Sequence, residues 1–351
     1  MYKIIRDLLF LIPPEKAHNL IVSTLKIIFK INFIRKLIYN YCNRYSKSFD
    51  LLNLKFKNKC GLAAGFDKNG KYLYELGTFG FAFIEVGTIT PKPQKGNPLP
   101  RLFRLVKDNA LINRMGLNND GVEIVYKNIL NYRKKYPNEN VIIGANIGKN
   151  KDTTPENGYF DILQCFNKLY DLVDYFTINI SCPNVKNNSE LQDPKILSDI
   201  LKKLNNNRNN QNFYKPIFLK ISPDLSFNQI DQIIELIRSN NIDGLIISNT
   251  TTKYENLKTS RKKIEKIAWG GLSGKPLKYR TDEIISYVKN KYTKKEFIII
   301  ASGGIITEED AIDKINKGAD LLQLYTGFIY RGPFIVRKIN KKINSINNNQ
   351  I

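Results

Sequence analysis

Cysteine is scarce in this 351-residue chain. Cys42, Cys60, Cys165 and Cys182 are widely spaced and form no C-x-x-C pair. That spacing argues against a disulfide framework or a zinc site and for a reducing compartment. Long apolar runs are missing too: none approaches the ~18 residues of a membrane-spanning helix. The N-terminal MYKIIRDLLFLIPPEK has a short apolar stretch broken by Arg6 and Asp7 and ended by Pro13 and Pro14. It lacks a small-residue cleavage site and does not read as a signal peptide, so any membrane contact is expected to be peripheral. Acidic residues are few, 32 against 55 Lys and Arg, for a net charge of +23. Such a charge suits an anionic membrane, nucleic acid or an anionic small molecule. The Lys-, Asn- and Ile-rich strings NLNNNRNNQNF and KKINSINNNQI leave a second reading open, compositional drift of an AT-rich genome.

What is present is an ordinary apolar share of 42% and charged share of 25%, as in soluble globular proteins. Eight segments rich in Ile, Val, Phe or Tyr read as buried parallel strands: 60–66, 81–87, 141–147, 175–181, 216–221, 243–249, 297–303 and 321–327. Helical patterns fill most intervals, for example 225–240 and 307–319. Ser226 and Thr307 are expected N-caps, the latter with Asp310 three residues on. Eight strands alternating with helices predict an α/β fold, a (β/α)₈ TIM barrel. A doubly wound open sheet is the alternative, but the G-x-G-x-x-G fingerprint that would favour it is absent. Residues 1–48 form a separate N-terminal amphipathic segment with expected helices at 2–12 and 15–29, placed either in a membrane interface or as a cap on the barrel. The barrel is expected over 49–345, followed by a polar tail at 346–351. Residues 88–118 read as a long Pro/Gly-rich loop, a length that usually carries function.

Side chains at the C-terminal ends of barrel strands converge on one pocket. Here those positions hold Lys68, Thr88, Asn146, Asn179, Lys220, Ser248-Asn249-Thr250, Gly303-Gly304 and Tyr325-Thr326. Three Asn and two Lys without Asp or Glu fit a planar, anionic, amide-rich ligand better than a hydrolase built on paired carboxylates. SGGI (302–305) before a helix and YTG (325–327) resemble the phosphate site of the last two barrel loops. A phosphate beside an amide-rich pocket suggests a mononucleotide cofactor such as FMN. No metal site is expected.

The strings LAAGFDKNG, EVGTITPKPQKGNPLPRLFRL, LINRMGLNN, ANIGKNKDT, INISCPN, LKISPDLS, SNTT, GGLSGKPL and LLQLYTGFIYRGP occur in order over nearly the whole chain. With them the chain resembles the dihydroorotate dehydrogenases, specifically their membrane-associated, quinone-using class. The resemblance implies oxidation of dihydroorotate to orotate in pyrimidine synthesis, with FMN as cofactor, a membrane quinone as acceptor and no nucleic-acid partner. It places the protein peripherally on the cytoplasmic face of the cell inner membrane. It assigns FMN to Ala64, Gly65, Phe66, Asp67, Lys68, Thr88, Asn146, Asn179, Lys220, Ser248, Gly274, Gly304, Tyr325 and Thr326. It assigns the substrate to Lys68, Asn113, Arg114, Met115, Gly116, Leu117, Asn179, Asn184, Asn249 and Thr250. His18 and Arg104 match polar positions of a quinone tunnel under the N-terminal helices.

By the same resemblance, a general base removes a proton from C5 of dihydroorotate while a hydride leaves C6 for the flavin. The base position is Cys182, where the quinone-using class is expected to have Ser and the soluble classes Cys. After Pro183 the usual Thr-Pro-Gly-Leu-Arg gives way to VKNNSEL (185–191), so the loop over the substrate is expected to close differently. Two rivals remain: a soluble-class enzyme using fumarate or NAD, supported by Cys182, and a tRNA-modifying flavin reductase similar to dihydrouridine synthase. INISCP and the basic charge fit the second; NRMGLNN, SNTT and the helical extension speak against it.

Overall fold

The computed structural model describes residues 2–181, 189–292 and 297–348. Three helices open the chain, α1 (Tyr2–Leu9), α2 (Pro14–Ile28) and α3 (Asn32–Asn43). An antiparallel hairpin follows, β1 (Phe49–Leu51) and β2 (Leu54–Phe56). The alternation then starts with β3 (Cys60–Leu62), α4 (Leu73–Gly77) and β4 (Phe83–Ile89). It is interrupted by β5 (Leu102–Leu105) and β6 (Ala110–Asn113) before α5 (Val122–Lys135). Next come β7 (Ile142–Ile147), α6 (Gly158–Leu169), β8 (Tyr175–Asn179), α7 (Pro194–Asn209) and β9 (Ile217–Ile221). The chain continues through α8 (Phe227–Ser239), β10 (Gly244–Ile247), α9 (Arg261–Ile267), β11 (Gly271–Gly274) and α10 (Lys278–Lys291). It ends with β12 (Ile298–Ser302), α11 (Glu308–Asn316), β13 (Leu321–Leu324), α12 (Thr326–Arg331) and α13 (Ile335–Asn348).

β3, β4, β7, β8, β9, β10, β12 and β13 close into a parallel barrel in chain order. Each of the eight expected strands is a barrel strand. Ser226 and Thr307 cap α8 and α11 with reciprocal capping boxes, closed by Gln229 and Asp310. Three features differ from the sequence reading. A third helix, α3, completes the N-terminal segment. The stretch read as a loop at 88–118 folds back as β5 and β6, which join β11 in a three-stranded antiparallel sheet. And α13 runs to Asn348, into the stretch expected as a polar tail.

The lower barrel is filled by a size alternation between neighbouring strands. Gly61 on β3 is paired with Phe83 on β4, Gly144 on β7 with Tyr175 on β8, and Gly244 on β10 with Phe218 on β9. Each glycine lies against the ring of its partner: a Cβ at Gly61 would lie 2.2 Å from the Phe83 ring, and one at Gly144 2.1 Å from the Tyr175 ring. Rings thus fill a layer that no ring of eight large side chains would fit. Phe56 of the β1–β2 hairpin plugs this end, edge-on to Phe83 with centroids 5.7 Å apart. The packing predicts that Gly144→Ala displaces Tyr175 and destabilises the protein by about 1–3 kcal/mol, measured as a lower denaturation midpoint.

Candidate active site

The upper barrel is polar where the lower is aromatic, because β4, β7, β8, β9 and β13 turn hydrogen-bonding side chains inward there. Thr88 Oγ1 donates to Asn146 Oδ1 at 2.6 Å and accepts from Asn179 Nδ2 at 2.8 Å. Asn146 Nδ2 donates in turn to Glu85 Oε1 at 2.8 Å. Ser181 Oγ donates to the Lys220 carbonyl at 2.8 Å and accepts from Asn249 Nδ2 at 3.1 Å. Amide orientations in this pocket are therefore fixed by protein partners before any ligand arrives.

This pocket brings together most of the residues expected from the sequence. Ala64, Gly65, Lys68, Thr88, Asn146, Asn179, Lys220, Ser248, Gly274, Gly304, Tyr325 and Thr326 all line it. So do Asn113, Met115, Gly116, Leu117, Asn249 and Thr250. Three expected residues sit elsewhere. The Asp67 carboxylate accepts from the Lys71 and Tyr72 amides and so staples its own loop. Phe66 turns into a neighbouring cavity, packed against His18, Tyr325 and Phe328. The Arg114 guanidinium donates to the Pro100 and Ile267 carbonyls and stacks over Phe103 and Trp269. Cys182 and Asn184 lie outside the described residues. Glu85 and Gln323, both buried, were not anticipated: each sits mid-strand in an apolar run, and only the inward pleat marks it.

The phosphate-type corner also differs in detail. The Ile306 and Thr307 amides at the start of α11 donate to the Asp310 carboxylate, so this helix end is already satisfied by its own acid. The remaining cradle is backbone. Gly274 (φ +99°) and Gly304 (φ +75°) are left-handed, and a Cβ there would lie 2.3 Å from the Asn109 carbonyl oxygen and the Lys278 Cα, respectively. Thr326 adds a hydroxyl 2.9 Å from that of Ser273. Gln323 Oε1 is buried without a partner among the described residues. Orphaned acceptor, glycine cradle and preset amides together fit a bound planar, phosphorylated group.

A second cavity of about 600 Å³ lies under α1 and α2. It shares Gly65, Lys68, Leu102, Leu111, Met115 and Tyr325 with the first, so the two meet at one wall. Its surface is mostly apolar, from residues such as Leu9, Val22, Leu25 and Phe328. His18 and Arg104 are among its polar lining residues, with Arg6, Glu15 and Lys71. Arg104 donates to the Ile12 carbonyl at 2.6 Å and lies over the Phe10 ring. His18 meets Phe66 edge-on, and burial, aided by the Lys68 charge, lowers its pKa to about 4. Burial also lowers Lys68 to about 8, against the opposing pull of Glu15. Glu15 itself is tied to Arg101 at 3.0 Å, which fastens α2 to the loop at 95–101. Among the described residues, no group of three or more His, Cys, Asp and Glu is placed to hold a metal ion.

Residues 47–346 match the family model described as dihydroorotate dehydrogenase. A protein of Christiangramia forsetii named dihydroorotate dehydrogenase (quinone) is 46% identical, over 98% of each chain. Its namesake in Bartonella henselae is 42% identical, covering 96% of this chain and 90% of its own. Among solved structures, Eimeria tenella DHODH in complex with ferulenol superposes with a TM-score of 0.82 at 33% identity, covering 96% of this chain and 92% of that one.

The depressed His18 pKa sets a sign. The unfolded chain binds this proton near about 6.5 and the folded chain only near about 4, so stability falls as pH drops through that window. The expected outcome for His18→Asn is a flatter dependence of melting temperature on pH between those values, checked by thermal unfolding in a buffer series.

Proposed function

This chain belongs to the dihydroorotate dehydrogenase family, and on that premise we propose that it oxidises dihydroorotate to orotate and passes the electrons through FMN to a membrane quinone. The observation that carries the reading is the shared wall of Gly65, Lys68 and Tyr325, across which a pocket of preset amides and lysines faces a mostly apolar cavity. One side suits a charged, imide-bearing substrate on a flavin. The other suits a lipophilic acceptor arriving from a bilayer. A fumarate- or NAD-using enzyme needs no such cavity, and pyrimidine biosynthesis is the pathway the family serves.

The family is flavin-dependent, and FMN is the form that the glycine cradle and Thr326 support. When bound, FMN supplies the two-electron carrier that connects dihydroorotate with quinone. Gly274, Gly304 and Thr326 would hold its phosphate, and Ala64, Gly65, Ser248 and Tyr325 its body. Thr88, Asn146, Asn179 and Lys220 would set its orientation, with Lys220 as the nearby cation. Asn113, Asn249, Thr250 and Asn184 would grip the substrate's carboxylate and imide edge, beside Lys68 and the backbone of Met115–Leu117.

Cys182 would take the C5 proton. Its neighbour Ser181 is buried and held by Lys220 and Asn249, so the chain reaches position 182 from a fixed point at the pocket. A free thiol ionises near about 8.5, far below a hydroxyl, which suits base chemistry close to neutral pH.

Residues 1–48 would serve the quinone and the membrane, with the barrel of 49–345 doing the chemistry. Ile4, Leu8, Leu11, Ile27 and Phe33 of the N-terminal helices are exposed, and no helix among the described residues is long and apolar enough to cross a bilayer. These exposed apolar residues would enter a membrane interface and support a peripheral seat, which we place on the cytoplasmic face of the inner membrane on the strength of the family resemblance.

The purified protein is expected to show flavin absorbance and to oxidise dihydroorotate with a soluble quinone analogue; turnover with fumarate or NAD instead would sink the reading. Cys182→Ala is expected to slow substrate-driven flavin bleaching by about 10²–10⁴-fold in stopped flow. Cys182→Ser should retain measurable turnover with its pH optimum moved upward, and an unchanged pH profile would speak against the thiol as base.

A further inference from the structure

Glu85 is fully buried inside the barrel and lines neither cavity, yet it gathers polar side chains from four other strands. Its Oε1 accepts from Asn146 Nδ2 at 2.8 Å and lies 3.9 Å from Lys220 Nζ. Its Oε2 accepts from Gln323 Nε2 at 2.6 Å, Thr177 Oγ1 at 3.1 Å and the Tyr175 hydroxyl at 3.2 Å. Three of these partners, Asn146, Lys220 and Gln323, line the pocket floor. Four hydrogen bonds and a lysine ammonium thus converge on one carboxyl group cut off from water, a place where an unsatisfied polar group is costly.

We propose that Glu85 is the positioning residue of the flavin site: it keeps Lys220 charged and aims Lys220, Asn146 and Gln323 at the cofactor without touching it. This rests on the flavin reading above. Lys220 is buried, and burial lowers its pKa while Glu85 opposes the shift. Among the described residues, the titratable groups facing Lys220 are Glu85 on β4 and, through it, the Tyr175 hydroxyl on β8. The flanking strand ends bring the uncharged Asn179, Ser248 and Asn249, and Lys68 lines the same pocket. Without Glu85 the ammonium loses the one carboxylate that opposes the effect of burial and releases its proton more readily. With that proton goes the field that favours electrons on the flavin.

Glu85→Gln keeps the shape and most hydrogen bonds but removes the charge. The test is the flavin midpoint potential as a function of pH, by spectroelectrochemistry on flavin-loaded protein, for wild type, Glu85→Gln, Glu85→Asp, Lys220→Met and the Glu85→Gln/Lys220→Met pair. The expected result is a potential in Glu85→Gln that falls away from wild type as pH rises and Lys220 gives up its proton, and recovers as pH is lowered and Lys220 regains it. Glu85→Asp should follow the wild-type curve, and Glu85→Gln should add nothing in the Lys220→Met background. A wild-type curve in Glu85→Gln, or a shift of equal size without Lys220, overturns the proposal. Loss of flavin from Glu85→Gln but not from Glu85→Asp supports it; loss from both marks a packing role and overturns it. Wild-type protein that holds no flavin overturns the functional reading itself, and this proposal with it.

Discussion

A carboxylate without access to water divides this barrel into two kinds of interior. Below Glu85, rings from Phe83, Tyr175 and Phe218 interlock with facing glycines and leave no space. Above it, amides and an ammonium line an open pocket. The charge imposes this boundary. Removing one partner from a buried, hydrogen-bonded ion pair typically costs about 3–5 kcal/mol, so each donor to Glu85 is constrained to its place. Tyr175 belongs to both halves, its ring in the aromatic layer and its hydroxyl on the carboxylate. Packing at the barrel bottom is thereby coupled to side-chain orientation at the top.

The second constraint is electrostatic and lies at the wall between the two cavities. Lys68 is buried there and donates to the Gly65 carbonyl at 2.7 Å. Its proton is weakly held because desolvation outweighs the attraction of Glu15. Burial, aided by the Lys68 charge, keeps His18 neutral, so the cavity offers an incoming ligand an uncharged imidazole and an Arg104 already engaged with backbone carbonyls. Such a lining admits a neutral, lipophilic molecule without requiring it to displace a tightly bound charge. The pocket on the far side has the opposite character. The two are separated by the residues they share, Gly65, Lys68, Leu102, Leu111, Met115 and Tyr325.

Much of this was legible in the sequence because the barrel repeats its grammar. Apolar β-rich runs followed by Asn, Lys or Gly name both the strands and the residues at their catalytic ends, and those residues do converge. What escaped reading has physical causes. Glu85 and Gln323 sit inside apolar strands, where a polar residue gives no local sign of the partners that will satisfy it; its donors come from strands up to 238 residues away. The β5–β6–β11 sheet depends on pairing across about half the chain, and its Pro/Gly-rich flanks read as loop. Helix α3 begins without a side-chain cap, so no start signal separated it from the preceding turn. Asp67 and Arg114 fall within matching motifs yet serve the backbone, because a motif preserves loop geometry as well as ligand contacts.

Ser181 links the barrel wall to the position where the chain departs from its class. Its hydroxyl bridges the Lys220 carbonyl and the Asn249 amide, and its own amide is oriented toward Asn179 Oδ1 at 3.3 Å. Three strand ends thus fix the residue before Cys182, independently of the chemical group that follows. On the reading proposed above, a thiol at Cys182 lowers the demand for activation by neighbouring groups.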